Sequence, residues 1–320
     1  MLTYIIRRLL LSIPILFGVA LISFLLVYLA PGDPLGNFRV PNVRPEVLDR
    51  LREIYGFDKP LHEQFIGWLS NYVQIWREDA WGMSVTYRRP VLELIVERIP
   101  ATALLMGTAL AITVVVAIPL GLLAAVKQYS WADKIVTTFA TIGYAMPSFV
   151  LGTYLLVIGA VWLGLFPFRG MTSSLSRAGD PLDVAWHMVL PVASLAIQSI
   201  AGWSRYVRAT MLEVLHQDYI RTAKAKGLGR GRVNFRHALR NALIPVVTLF
   251  GLSLPALLGG AVITEGIFSW PGLGSLGLQG VAQRDYPVVM AFVLLGGITV
   301  IVGNLIADIL YGVVDPRIKY

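Results

Sequence analysis

Hydrophobic positions in this chain come in long unbroken runs separated by short charged loops. The pattern lacks both the period of a half-buried strand and the narrow stripe of a soluble helix. A membrane crossing needs about 20 mostly apolar residues. Six stretches qualify: Leu9–Ala30, Ala101–Val126, Ile135–Phe168, Val184–Ser204, Asn241–Thr264 and Tyr286–Ala307. The third runs 34 residues without a charge, too long for one straight crossing at about 1.5 Å per residue. Pro147 is expected to kink it, with Gly164 to Phe168 at or beyond the interface. The predicted fold class is therefore an all-α, polytopic membrane protein with six transmembrane helices. The first run follows Arg7 and Arg8 as a secretory leader would. Its 22 uncharged residues exceed a leader's apolar core, and no small-residue cleavage site is evident before Pro31, so it reads as a retained span.

The chain divides into residues 1–31 (N-terminal tail and first span), 32–100 (an insertion) and 101–320 (spans two to six). Within the insertion, Pro45–Tyr55 sets Val47, Leu48, Leu51, Ile54 and Tyr55 on one helical stripe stopped by Gly56. Leu61–Trp76 repeats the pattern with Phe65, Trp68, Leu69, Tyr72 and Val73, and Pro90–Ile99 predicts a third amphipathic helix leading into the second span. The stripes suit either a small cap that packs on itself or a docking surface.

Lysine and arginine in short loops orient such a chain. One side carries Arg7, Arg8, Lys127, Lys134, nine bases from Arg205 to Arg240, Arg317 and Lys319, fifteen in all. The two short loops on the other side carry three: Arg169, Arg177 and Arg284. Both termini and the loop 205–244 are thus expected in the cytoplasm, and the insertion outside. That loop sets nine bases against Glu213 and Asp218, nearly the whole formal charge of +8. The basicity is a topology signal, and nucleic acid is not an expected partner. The chain is 56% hydrophobic and 14% charged, with a mean hydropathy of +0.67, too few charges for a soluble surface. It has no cysteine, which excludes disulfides and thiolate metal sites.

The basic loop has local structure of its own. Asp218 is a favourable N-cap, the next eight residues favour helix, and Gly227 suits the left-handed position after a helix end. A short helix, a glycine-rich turn and a second basic helix then join spans four and five. Pattern alone fits equally a surface gripped by another protein and an ordinary positive-inside loop.

The segment resembles the EAA loop of ABC-importer permeases, a Glu-Ala-Ala triplet followed by a glycine and a later closing proline. Arg221, Thr222 and Ala223 occupy the triplet, Gly227 the glycine, and Pro245 the closing position 18 residues on. Arginine in place of glutamate departs from the general pattern. The string Asp218-Tyr-Ile-Arg-Thr-Ala-Lys-Ala-Lys-Gly-Leu228 is similar to the dipeptide/oligopeptide/nickel branch of that family. So are Ala30-Pro-Gly-Asp-Pro34, Phe268-Ser-Trp-Pro-Gly-Leu-Gly274, Arg284-Asp-Tyr-Pro-Val288 and the tail from Asp315 to Tyr320. Within the branch the chain most resembles the first of two dipeptide permease subunits. The resemblance implies a multi-pass protein of a prokaryotic cell membrane, embedded in the lipid bilayer and working with a second, non-identical permease. Two ATPase subunits and an extracytoplasmic solute-binding protein would complete the assembly, with short peptides as substrate. It further implies that the loop helix docks on an ATPase subunit, and that ATP and magnesium sit on those partners with no cofactor in this chain.

Other signals weigh less. Gly272-Leu-Gly-Ser-Leu-Gly277 satisfies GxGxxG, but it follows an apolar span where a dinucleotide site needs a β-strand. Trp270, Pro271, Gly272 and Gly274 are instead expected to form a tight outer turn, a candidate extracytoplasmic gate. No GxxxxGK[ST] loop occurs, and His62, His187, His216 and His237 match no metal-ligand spacing. Glu265 and Asp308 flank long spans and are expected near a membrane edge, where an acid is inexpensive. A stand-alone secondary transporter or channel is the alternative reading. A membrane enzyme would want converging ionisable groups, which the pattern lacks.

Overall fold

A computed structural model describes residues 2–29, 46, 50, 58–74, 77, 80–174, 177, 179–259 and 261–314. The stripe within 45–55, the string at 30–34 and the tail from 315 lie outside the described residues. The helices of the described residues run in chain order. They are α1 (Leu2–Leu29), α2 (Leu61–Val73), α3 (Val91–Val126), α4 (Trp131–Ala145), α5 (Ser148–Trp162), α6 (Pro181–Leu215), α7 (Asp218–Ala225), α8 (Arg230–Ala242), α9 (Ile244–Gly259), α10 (Val262–Ile267), α11 (Leu273–Ala282) and α12 (Tyr286–Val314). Among the described residues the one β feature is an isolated bridge between Met83 and Pro90.

Four helices are long and apolar enough to cross a bilayer unaided: α1, α3, α6 and α12. Of the other two predicted crossings, the third falls on a bent pair, and the fifth falls on the end of α8, on α9 and on the start of α10. The helices α4 and α5 meet at 101°, and α8 meets residues 246–255 of α9 at 45°. The kink expected at Pro147 is thus a near-right-angle break. Pro147 has no N–H and pushes Met146 out of the helical region (φ −83°, ψ 123°), so α4 ends at Ala145. Beyond Trp162 the helix stops, and Gly164 takes φ +61°.

Where proline costs only one backbone bond, packing carries the helix through it. Pro100 lies inside α3 between buried Ile95, Ala101 and Leu105, so residues 91–99 are the first turns of the second span. The third amphipathic helix expected over 90–99 is continuous with the span it leads into. At α6 the sequence supplies a full start signal: Pro181 opens the helix and the Asp180 carboxylate accepts the Leu182 N–H at 3.0 Å.

In lipid, close packing favours small residues where helices touch. Gly121 of α3 lies so near α6 that an added Cβ would stand 2.6 Å from Val207. Gly251 of α9 meets Ala307 of α12 as closely, at 2.5 Å. The helix α2 packs through its aromatic stripe. Phe65 meets Phe17 and Phe24 of α1 edge-on at ring separations of 5.7 and 5.3 Å, Trp68 lies against Tyr72, and Tyr72 stacks on Trp81. Val73, the last residue of that predicted stripe, faces outward instead, 66% exposed.

Candidate functional site

Two sites at opposite ends of the spans concentrate the residues singled out by sequence. On the basic side, α7 follows α6 after only His216 and Gln217. Its apolar face is buried: Ile220 and Ala223 join Met211, Val233, Ala238 and Ala242 in one cluster. Tyr219, Arg221, Thr222 and Lys224 face outward. Asp218 is not the N-cap. Gln217 holds that position without a side-chain bond, because it is the last extended residue (φ −70°, ψ 149°), and Asp218 is already helical. Its exposed carboxylate lies 3.3 Å from Arg221 Nη1 in the first turn, where negative charge complements the helix dipole.

The other end of α7 follows its sequence signal. Gly227 takes φ +77°, its N–H donates to the Lys224 carbonyl at 3.0 Å, and the Leu228 N–H reaches the Ala223 carbonyl at 3.3 Å. That is a Schellman closure. The helix α8 then turns Val233, Ala238 and Ala242 inward and Arg230, Arg232, Arg236 and Arg240 outward, with Asn241 donating to the Tyr219 hydroxyl at 2.9 Å. Pro245 lies in the first turn of α9.

A pair that sequence reasoning passed over fixes this side. Asp133 of α4, only 4% exposed, accepts both Nε and Nη2 of Arg208 on α6 at 2.6 and 2.9 Å. It also accepts the Tyr129 N–H at 2.9 Å. Asp308, expected as a lone edge acid, pairs with Arg8 of α1 at 3.0 Å.

At the other end, Trp270 to Gly274 form a turn that is buried except at the half-buried Pro271. The Trp270 ring is fully buried, and its indole N–H donates to the Ala101 carbonyl of α3 at 2.9 Å. Glu265, expected at a membrane edge, is completely enclosed. Its Oε1 accepts the Thr102 hydroxyl at 2.9 Å and its Oε2 accepts the Ser275 N–H at 2.9 Å. The Thr102 oxygen accepts the Leu273 N–H at 2.8 Å. A buried carboxylate needs such donors to be tolerable. The chain can wrap it only because Gly272 has no side chain, since a Cβ there would lie 2.4 Å from the carboxylate. GxGxxG here serves close approach to a carboxylate, and Pro271 links that wrap to the ring of Trp270.

A second acid stitches the insertion to this end. Asp285, 1% exposed, accepts the Ser84 hydroxyl at 2.5 Å and the Thr86 N–H at 3.0 Å. Neither contact has a local sequence signal, for the partners lie about 200 residues apart.

Comparison with known proteins gives the family of the whole chain. Residues 117–320 match the family described as "Binding-protein-dependent transport system inner membrane component". Residues 1–106 match the N-terminal region of such membrane components. Over the full length of both chains the sequence is 45% identical to the oligopeptide transport system permease protein AppB of Bacillus subtilis. It is 39% identical, again over full length, to the glutathione transport system permease protein GsiC of Escherichia coli K12. In fold it is similar to a chain of the inward-facing MetNI methionine ABC transporter, with a TM-score of 0.52 at 18% identity, covering 69% of this chain and 98% of that one.

Proposed function

The chain belongs to the family of binding-protein-dependent transport system inner membrane components, and we propose that it forms one half of a heteromeric path for short peptides. It is a non-enzymatic, multi-pass permease subunit of an ABC importer, whose ATPase and solute-binding functions reside on separate subunits. The peptide substrate is supported by the names of two full-length relatives, one for oligopeptides and one for glutathione, itself a small peptide. A second, non-identical permease completes the path, two ATPase subunits hold ATP and magnesium, and an extracytoplasmic binding protein delivers the peptide. Both termini and the basic side face the cytoplasm, as the charge bias favours.

One observation carries the mechanism. The short helix α7 is bolted to α6 and α8 by Ile220 and Ala223, while Arg221, Thr222 and Lys224 are presented to solution. A partner that grips its outer face pulls on the spans through its inner one. Closure of the ATPases thereby tilts α6 and α9, and the Trp270–Gly274 turn opens or seals the outer end of the path. The test is reconstitution of the full assembly beside this chain alone. ATP-dependent peptide uptake by the assembly, with neither hydrolysis nor uptake by the lone chain, is expected. Gradient-driven uptake by the lone chain would overturn the assignment.

A further inference from the structure

The helix α4 presents three faces of different chemistry. Val136, Ala140 and Gly143 are buried, with Gly143 close against Ala201 of α6. Ile135, Phe139 and Ile142 form an exposed apolar face, as lipid requires. A third face carries Thr138, Thr141 and Tyr144, all exposed, with Tyr144 at 62%. Beside it on α6, Gln198 is half-buried and Ser199 exposed, and Gly202 lies under the Tyr144 ring. Gln198 lies seven residues before Arg205, the first base of the basic loop, about 10 Å inward at about 1.5 Å per residue, so this face lies within the bilayer. It also meets the break in α4–α5, where the Gln198 amide donates to the Met146 carbonyl at 3.3 Å.

Unwound backbone at that depth is not tolerated against lipid, only against protein or a wet cavity. Thr141 satisfies its hydroxyl on the Thr137 carbonyl at 2.8 Å, while Tyr144 and Ser199 are exposed beside the break. The helix already has a separate apolar face for lipid. The polar stripe also runs on along α6 to Arg205, exposed on the basic side and 5.8 Å from the Tyr144 ring, so it is continuous with water at one end. We propose that Thr141, Tyr144, Gln198 and Ser199 line the translocation path and exchange hydrogen bonds with the amide backbone of the passing peptide. The inference rests on the importer reading and deepens it. These groups are uncharged donors and acceptors, able to replace water on any peptide bond regardless of side chain. Broken helices whose freed backbone lines a cavity are a recurrent way to build such a site.

The cysteine-free chain allows a direct test in the assembled, membrane-embedded complex. Tyr144→Cys and Ser199→Cys are compared with Ile142→Cys, on the apolar face of the same helix, using a charged, membrane-impermeant thiosulfonate. The two path positions are expected to react at least about tenfold faster than the control, as water access demands, with excess peptide slowing them. Their modification should block peptide uptake. Rates equal to the Ile142→Cys control would overturn the proposal. So would protection that is lost only when the partner permease is dissociated, which would make this face a subunit interface. Failure of the unmodified complex to take up any peptide would refute the peptide-importer reading instead, whatever the labelling rates.

Discussion

Thr102 of α3 donates its hydroxyl to the buried Glu265 carboxylate at 2.9 Å and accepts the Leu273 N–H at 2.8 Å with the same oxygen. One side chain thus joins the second span to both ends of the turn that carries Trp270. Thr102→Val keeps the shape and removes both bonds, leaving a carboxylate oxygen and an N–H without partners in a dry site. Each such orphan costs about 1–3 kcal/mol, so thermal unfolding of the purified complex should shift down by several degrees. Thr102→Ser should restore most of the loss. Unchanged melting of the Thr102→Val complex would show that the bridge does not stabilise this end.

Gly274→Ala is expected to be worse than Gly272→Ala. At 274 the new methyl would meet the Val262 backbone at 2.6 Å, which cannot step aside at all, whereas at 272 it meets the Glu265 carboxylate, which can swing away only by giving up its bonds to Thr102 and Ser275. Overpacking of this kind typically costs about 1–3 kcal/mol. Membrane levels and detergent stability should rank wild type, Gly272→Ala, Gly274→Ala in that order.

The Asp133–Arg208 pair should hold α4 to α6 on the basic side. Removing one partner of a buried pair costs about 3–5 kcal/mol, and Arg208, with 26% of its side chain exposed, places this one at or below the low end. Asp133→Asn should destabilise the complex. Arg208→Lys, which keeps the charge but loses the two-pronged bond, should fall between it and wild type when melting is followed.

Orientation is testable in the same cysteine-free background. Ser70 is exposed on α2 and Thr222 on α7. Ser70→Cys should react with an impermeant thiol reagent added to intact spheroplasts, and Thr222→Cys only after lysis. The reverse pattern would place the basic side outside.

How much of this was legible in sequence varies with the range of the forces involved. Uncharged runs predict crossings because lipid acts on every residue of the run, and among the described residues all six stretches are mostly helical. Gly227 was legible because the left-handed turn is a property of that residue itself. The angle at Pro147 was not, since proline only frees the backbone and the direction is set by packing, with Gln198 of α6 holding the Met146 carbonyl. Asp218 misleads because a favourable N-cap residue does not place the boundary. The two-residue link from α6 leaves Gln217 as the extended one. Glu265 was illegible as a keystone, for its hydroxyl partner Thr102 lies 163 residues away. The polar face of α4 is visible in sequence only as scattered threonines within an apolar run.

In the proposed assembly, ATP energy enters through α7. At Gly227 a Cβ would meet nothing within 4 Å, so a substitution there is penalised only by the φ of +77°, about 1 kcal/mol or more for an ordinary side chain. Gly227→Asn, which tolerates that region, should keep uptake. Gly227→Asp adds negative charge at the helix C-terminus, which the dipole disfavours, while leaving every span intact. Asp218→Ala, which removes no capping bond, should be mild. The decisive measurement is ATP-dependent peptide uptake by Gly227→Asp in reconstituted complexes, scored beside membrane abundance and ATPase co-purification. Normal abundance with uptake abolished, through lost ATPase docking or lost substrate-stimulated hydrolysis, is the expected result. Full uptake by Gly227→Asp would contradict entry through α7 and move the coupling site elsewhere in the chain.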